Sequence, residues 1–282
     1  MQAGSFLSRT GKVMGSVATR IRGNAIPARY EIKYVIQESL AQAVADYAQA
    51  YCEPDPFLSP GETEYTITTL YMDSPDLRMY WEKKMMFWDR VKLRVRTYGR
   101  MADGPVFMEL KRRYGDIISK SRTRVERDAW TVLVDDPTAF NAADWPEKRG
   151  AVIQDFCMQS ILIGARPVVV LRYDRESLVA RYDRQLRVTF DRGIRFCRTS
   201  CANFPDTDDK YLPLVFGAGL WTPEPRVVLE MKFSNVCPLW MQDMVERFNL
   251  DRGSFSKYVR AMDQALDETM SMDPCGIRSM ME

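Results

Sequence analysis

Histidine is absent from the 282-residue chain. Its absence excludes a Ser-His-Asp or Cys-His catalytic centre, an HExxH metalloprotease and a phosphohistidine intermediate. A GxxxxGK[ST] loop is also missing, as are the HRD and DFG signals of a protein kinase, so any nucleotide must be held by other means. No apolar run reaches the roughly 18–20 residues that a membrane-spanning helix needs, and the expectation is a soluble, cytoplasmic protein. Six cysteines occur (Cys52, Cys157, Cys197, Cys201, Cys237 and Cys275). Only Cys197 and Cys201 are close together, with no second pair to complete a zinc site, so they read as reduced thiols. A charge excess is missing too. At a net charge of +2, an electrostatic function must come from how charges are arranged rather than from their sum.

Residues 1–28 hold Arg9, Lys12, Arg20 and Arg22 and no acidic residue. Without an apolar h-region or a cleavage signal, they read as a flexible basic arm rather than a targeting peptide. From Arg29 the pattern becomes strand-like. Tyr30–Ile36 places Glu31 and Lys33 on one face and Tyr30, Ile32 and Tyr34 on the other. Ser39 reads as the N-cap of a helix with Leu40, Val44, Tyr47, Ala48 and Tyr51 on one stripe. After a Pro-rich loop come a strand over Tyr65–Met72 and a short helical stretch over Leu77–Phe87. Three strands are read over Val91–Tyr98, Val106–Arg113 and Ile117–Arg127, the last two joined by a tight turn at Tyr114-Gly115-Asp116. A helical region over about Pro137–Gly164, strands at Val168–Tyr173, Arg187–Phe190 and Val227–Phe233, and helices near Leu239–Phe248 and Phe255–Leu266 complete the order. One α+β domain over 29–268 and a C-terminal tail over 269–282 is the economical division.

The strands carry an unusual charge pattern. In a half-exposed strand one face is apolar and the other holds mixed charge; here the polar face is cationic in strand after strand. Arg94 and Arg96 share a face, as do Glu109, Lys111 and Arg113, and Lys120, Arg122 and Arg124. Tyr173 with Arg175, then Arg187, then Glu230 with Lys232 continue it. Solvated outer faces would explain any single strand. Repetition weakens that explanation, because like charges directly across a sheet repel. Closing such a sheet with its cations inward makes a lumen suited to phosphate oxygens. Glu230, set among Val228, Leu229 and Met231, is there either a Mg²⁺ or Mn²⁺ ligand or the partner of a lumen arginine.

These motifs in this order resemble the VTC domain, the polyphosphate polymerase module of the vacuolar transporter chaperone complex, in the triphosphate tunnel metalloenzyme superfamily. The likeness runs from about Arg29 to Leu266. It is carried by YEIKYVI, LRVRTYG, MELKRR, SKSR, RYDR, LRVTFD, LEMKF and FSKY. It implies a closed eight-stranded antiparallel barrel surrounded by helices. Arg94, Arg96, Lys111, Arg187 and Lys257 match catalytic positions; Lys33, Lys120, Arg122, Tyr173, Arg175, Lys232 and Ser256 match substrate contacts; Glu230 matches the metal ligand. ATP and inorganic polyphosphate are the implied partners, with Mn²⁺ or Mg²⁺ as cofactor and a membrane protein encoded separately as a further partner. Hydrolytic relatives begin with ExExK, whereas this chain has Arg29 in the first acidic slot before Glu31 and Lys33. That departure favours the polymerase branch, acting as a free-standing catalytic domain without SPX or membrane segments. The alternatives are a tunnel triphosphatase or polyphosphatase and a non-catalytic polyphosphate or inositol-phosphate binder. Nucleic-acid binding is disfavoured by the lack of an aromatic-rich basic face.

Overall fold

The computed structural model describes residues 29–99, 103–114, 117–216 and 225–272. The basic arm, the turn at Gly115-Asp116, Cys275 and the end of the expected tail lie outside them. Ten strands form one antiparallel sheet: β1 (Arg29–Gln37), β2 (Cys52–Pro54), β3 (Tyr65–Asp73), β4 (Asp89–Tyr98), β5 (Val106–Tyr114), β6 (Ile117–Val125), β7 (Arg166–Ala180), β8 (Arg187–Arg198), β9 (Leu212–Pro213) and β10 (Arg226–Ser234). The main path runs β1-β10-β8-β7-β3-β4-β5-β6, with β2 paired to β7 and β9 to β8.

This order corrects the expectation of a closed eight-stranded barrel. β1 and β6 end the path and do not pair with each other. Their edges are engaged by other groups: Gly253 N–H donates to the Lys33 carbonyl, and Arg149 donates through Nη2 to the Arg124 carbonyl at 2.7 Å. An edge whose carbonyls are taken by a loop and a helix no longer templates a further strand. The sheet nevertheless coils far round. Glu31 on β1 and Lys111 on β5, six strands apart along the path, stand 3.8 Å apart.

Helices cover the outer face in two groups. The outward residues of β1, β8 and β10 (Tyr34, Ile36, Val188, Phe190, Val227, Leu229 and Met231) pack against α1 (Glu38–Gln49) and α5 (Leu239–Arg247). Leu70, Leu93, Val95, Met108 and Leu110 are buried with Trp130 and Leu133 of α3 (Arg127–Asp135) and Ile153 and Phe156 of α4 (Glu147–Ile163). β6 ends at Val125 rather than Arg127, α3 follows where the pattern predicts no helix, and α4 begins at Glu147, ten residues after the expected start at Pro137. Two single 3₁₀ turns, at Pro137–Ala139 and Ala142–Asp144, are capped by Asp136 and Asn141 and occupy the space between. α1 starts at Glu38 behind Gln37, not behind Ser39.

α2 (Arg78–Lys84) and α6 (Lys257–Met272) are joined through one carboxylate. Asp73, fully buried at the end of β3, accepts from the backbone N–H of Ser74, Met79 and Tyr80 at 2.8, 2.8 and 2.9 Å and from the Tyr258 hydroxyl. A carboxylate at the first turn of a helix satisfies orphan N–H groups and the helix dipole together. Tyr258 also stacks on Tyr71 at 5.0 Å between ring centroids. The first turn of α6 is thereby fixed to β3. Tyr258→Phe keeps the ring and deletes the donor, and it should cost about 1–3 kcal/mol in urea unfolding; an unchanged midpoint would show that the Asp73 contact does not hold α6.

Candidate functional site

The face turned inward by the coiling is the one predicted from period-two charge. Its residues are Glu31 and Lys33 on β1, Glu230 and Lys232 on β10, Arg187, Thr189 and Asp191 on β8, Tyr173 and Arg175 on β7, Thr69 and Tyr71 on β3, Lys92, Arg94 and Arg96 on β4, Glu109 and Lys111 on β5, and Lys120, Arg122 and Arg124 on β6. The ladder registers connect them directly: Lys33 lies opposite Glu230 and Glu230 opposite Thr189, while Arg94 lies opposite Glu109 and Glu109 opposite Arg122.

Two walls can be distinguished. On the first, the buried Glu230 carboxylate is ringed by four cations: Lys33 at 2.9 Å, Lys257 at 3.1 Å, Lys232 at 3.1 Å and Arg175 at 3.5 Å. Asp191, fully buried, accepts both arms of Arg175 at 2.5 and 2.7 Å and pairs with Lys257. Burial alone would raise the Glu230 carboxyl, but Lys257, Lys33, Lys232 and Arg175 hold it well below the usual carboxylate range. Burial would likewise depress Lys33 and Lys257, and the facing carboxylates hold both above the ordinary lysine value. The sequence alternative of a salt bridge from Glu230 to a lumen arginine is thus present, to Arg175, within a larger network. Lys257 lies 4.8 Å from the Tyr173 ring centroid, and Arg175 lies 5.4 Å from it, distances at which a cation is attracted to the ring face.

On the second wall Glu109, fully buried, pairs with Arg94 at 2.6 Å, Lys120 at 3.0 Å and Arg122 at 3.3 Å. Burial would raise its carboxyl, yet Arg94, Arg96 and Lys120 hold it below the usual range. Burial pushes Lys120 down to about 8, Glu109 opposing and Arg94 and Arg96 adding to the fall. Arg96 has no carboxylate within ion-pair distance among the described residues; its Nε donates to Thr69 Oγ1 at 3.1 Å. Lys92 is in the same position, touching Ser256 Oγ at 3.4 Å.

The structure therefore brings together Lys33, Arg175, Glu230, Lys232 and Lys257 on one wall, and Arg94, Lys120 and Arg122 on the other, with Lys111 reaching across to Glu31. Arg187 lies opposite Lys232 in the ladder, at the margin of the first wall. It is 40% exposed at the side chain and 3.6 Å from Asp55. Lys92, Glu109 and Asp191 do not figure among the candidate residues drawn from the sequence, although each keeps the same period-two spacing as Arg94, Lys111 and Thr189.

A divalent cation has a limited donor set here. Among the described residues no group of three or more Asp, Glu or Cys side chains gathers with metal-binding spacing. Glu230 supplies one carboxylate, and Thr189 Oγ1, opposite it in the ladder, is buried without a hydrogen-bond partner. Such all-oxygen donors suit a hard cation whose remaining ligands are phosphates and water. They do not suit a cage built from protein alone.

Glu109→Gln leaves Arg94, Lys120 and Arg122 without their shared anion. Losing one partner of a buried pair costs about 3–5 kcal/mol, so the thermal midpoint should fall in phosphate-free buffer and be restored by tripolyphosphate. A midpoint that tripolyphosphate does not restore would mean that these cations do not meet an anionic ligand. A second expectation follows from the acid limb. Glu31 is held at about 2, burial opposing while Lys33, Lys232 and Lys111 lower it. Its stabilising contribution is present above the ordinary carboxylate value of about 4 and is lost as pH falls toward about 2. Glu31→Gln should flatten the acid limb of the stability–pH curve, and an unchanged limb would count against this ion pair.

No curated protein matches the chain. Solved structures with a similar outline include a candidate adenylate cyclase from Bacillus halodurans, at TM-score 0.43 and 9% identity, covering 81% of this chain and 95% of that one. Another is a candidate adenylyl cyclase from Hippeastrum described as having a dominant triphosphatase activity, at TM-score 0.45 and 13% identity, covering 82% and 94%. The PH1819 protein of Pyrococcus horikoshii OT3 gives TM-score 0.42 and 9% identity, covering 84% and 99%. At such identities and TM-scores none of the three bears on the chemistry of this chain. The family comparison is of a different order: the model of the VTC domain matches residues 28–266, nearly the whole described span, and the chain belongs to the VTC domain family.

Proposed function

We propose that the coiled sheet holds ATP and a growing inorganic polyphosphate chain, and that the chain is extended by transfer of the γ-phosphoryl group. The carrying observation is the inward face itself: cations from seven strands and from α6 converge on it, and Arg96 and Lys92 have no carboxylate partner among the described residues. A row of like charges is retained at a cost unless a polyanion completes it, and arginine forks match phosphate oxygens bidentately.

In this reading the β–γ P–O bond of ATP breaks, a new P–O–P link forms to the terminal phosphate of the chain, and ADP leaves. The attacking oxygen is already anionic at neutral pH, so no general base is required, in keeping with a chain that has no histidine. Catalysis then rests on positioning and on cationic stabilisation of charge spread over the transferred oxygens. Arg94, Arg96 and Lys111 face the transferred group from the second wall and Lys257 from the first. Lys33, Lys120, Arg122, Arg175 and Lys232 grip the remaining phosphates, with Tyr173 and Ser256 as hydrogen-bonding contacts. Arg187, half-buried and beside Asp55, grips the chain at the margin of the site. Mn²⁺ or Mg²⁺, held by Glu230 with phosphate oxygens, would supply further charge neutralisation.

The test is incubation of the purified chain with ATP and Mn²⁺. Long polyphosphate on a gel together with ADP supports the reading; orthophosphate alone would replace it with a triphosphatase. Arg96→Ala should lower kcat by about a thousandfold, the scale of a lost arginine finger. Arg124, exposed at the far end of β6, should matter chiefly for retention, so Arg124→Ala should shorten the product with little change in kcat. If Arg124→Ala proves the more damaging in kcat, the chemistry has been placed at the wrong end of the sheet.

A further inference from the structure

Lys92 is the cation whose surroundings least resemble those of its neighbours. It shares the inward face of β4 with Arg94 and Arg96, and in the ladder it lies directly opposite Lys111, which lies opposite Lys120. Three lysines in one row is an arrangement that cross-strand repulsion disfavours. The other two are compensated: Lys111 reaches Glu31 at 3.8 Å and Lys120 reaches Glu109 at 3.0 Å. Lys33, approaching from β1, is shared between Glu31 at 3.0 Å and Glu230 at 2.9 Å. Lys92 has no carboxylate within ion-pair distance among the described residues. What faces it is Lys33 from β1, Arg94 from its own strand, Lys111 from β5 and Lys83 from α2, with Lys120 next along the row. The Lys92 Nζ donates to Ser256 Oγ at 3.4 Å. Ser256 precedes α6, and its hydroxyl also accepts from the Val259 N–H at 3.5 Å.

An ammonium placed among cations and partly removed from water favours its neutral form. Burial, and then Lys33, Lys111, Arg94 and Lys83, hold the Lys92 amine well below the ordinary lysine value. An arriving polyphosphate offsets the repulsion from Lys33, Lys111, Arg94 and Lys83 by placing anionic oxygens within the row.

We propose that Lys92 is a proton-linked phosphate contact, which takes up a proton from solvent as a polyphosphate enters the row. This rests on the proposed reading that the inward face takes a polyanion, and it adds a regulatory property to that site. The balance is simple: one amine, one proton from bulk water and one incoming phosphate oxygen give an ammonium–phosphate pair, with no covalent bond made or broken. The sign follows. Below the lowered Lys92 value the residue is charged both free and bound, and no proton is taken up. Above it, binding takes up one proton, so affinity falls by about tenfold per pH unit until the value in the complex is reached.

The experiment is calorimetric titration of the full chain with tripolyphosphate, in chelator to exclude metals, in two buffers of different ionisation enthalpy from about pH 6 to about pH 9. The wild-type chain should take up close to one proton more than Lys92→Arg, whose guanidinium stays charged throughout, and its affinity should fall more steeply with pH. Lys92→Met, neutral at every pH, should bind more weakly than wild type at the acid end and converge with it at the alkaline end. Lys120 titrates in all three proteins and cancels in the comparison. Equal proton counts and parallel pH profiles for wild type and Lys92→Arg would overturn the proposal. Failure of tripolyphosphate to bind any of them would overturn it together with the polyanion reading. A proton difference without polymer synthesis from ATP would leave the linkage standing and remove the polymerase assignment alone.

Discussion

The sharing of a few buried carboxylates among many cations is what the rest of this structure depends on. Glu230, Asp191 and Glu109 are almost fully withdrawn from water. Glu230 meets four cations and Glu109 three, and Asp191 meets Arg175 and Lys257. Without them, Lys33, Lys232, Arg175 and Lys257 on one wall and Arg94, Lys120 and Arg122 on the other would face one another without a shared anion. With them, the sheet tolerates an inward face that is rich in positive charge and still short of anions at Lys92 and Arg96. The same carboxylates are poor candidates for a protein-only metal cage, because their oxygens are already engaged. Stability of the protein and the surplus of positive charge on its inward face are therefore set by the same small group of side chains.

Much of this was legible in the sequence, because strand geometry converts period two directly into a face. Arg94 and Arg96, Glu109 and Lys111, and Glu230 and Lys232 could be assigned together from spacing alone, and the ladder places each pair inward. Lys92 obeys the same spacing, one step before the two arginines, but a single lysine at a strand's start is indistinguishable by pattern from solvated surface charge. Asp191 was hidden by its place beyond the expected end of a strand read as Arg187–Phe190, whereas β8 continues to Arg198. β7 likewise extends to fifteen residues, with a register shift between Arg172 and Asp174, and nothing in a periodic pattern announces an irregularity of that kind. Closure is not legible in the sequence for a related reason. Coiling and edge capping depend on how Arg149 of α4 and Gly253 happen to meet the edges, which are contacts between segments far apart in sequence.

The helices matter to the site through the ends they present. Lys257 begins α6 directly after Ser256, and Tyr258, in the same turn, is tied to Asp73, whose other partners include the Met79 and Tyr80 N–H groups of α2. Lys84 of α2 and the Tyr80 hydroxyl both meet Asp263 on α6 at 2.7 and 2.6 Å. α2 and α6 thus form a braced pair beside the inward face. It delivers Lys257 to Glu230 and Asp191, and Ser256 to Lys92, from one rigid origin.

The unpaired seam between β1 and β6 gives this molecule a property that a sealed cylinder lacks. In a cylinder the girth is fixed by strand number and stagger, and widening it would break main-chain hydrogen bonds. Here the last link round the circumference is made by side chains, Glu31 reaching to Lys111, so the bore is held by a clasp of two opposite charges. If that ion pair parts, the distance between β1 and β5 can change without loss of any strand pairing.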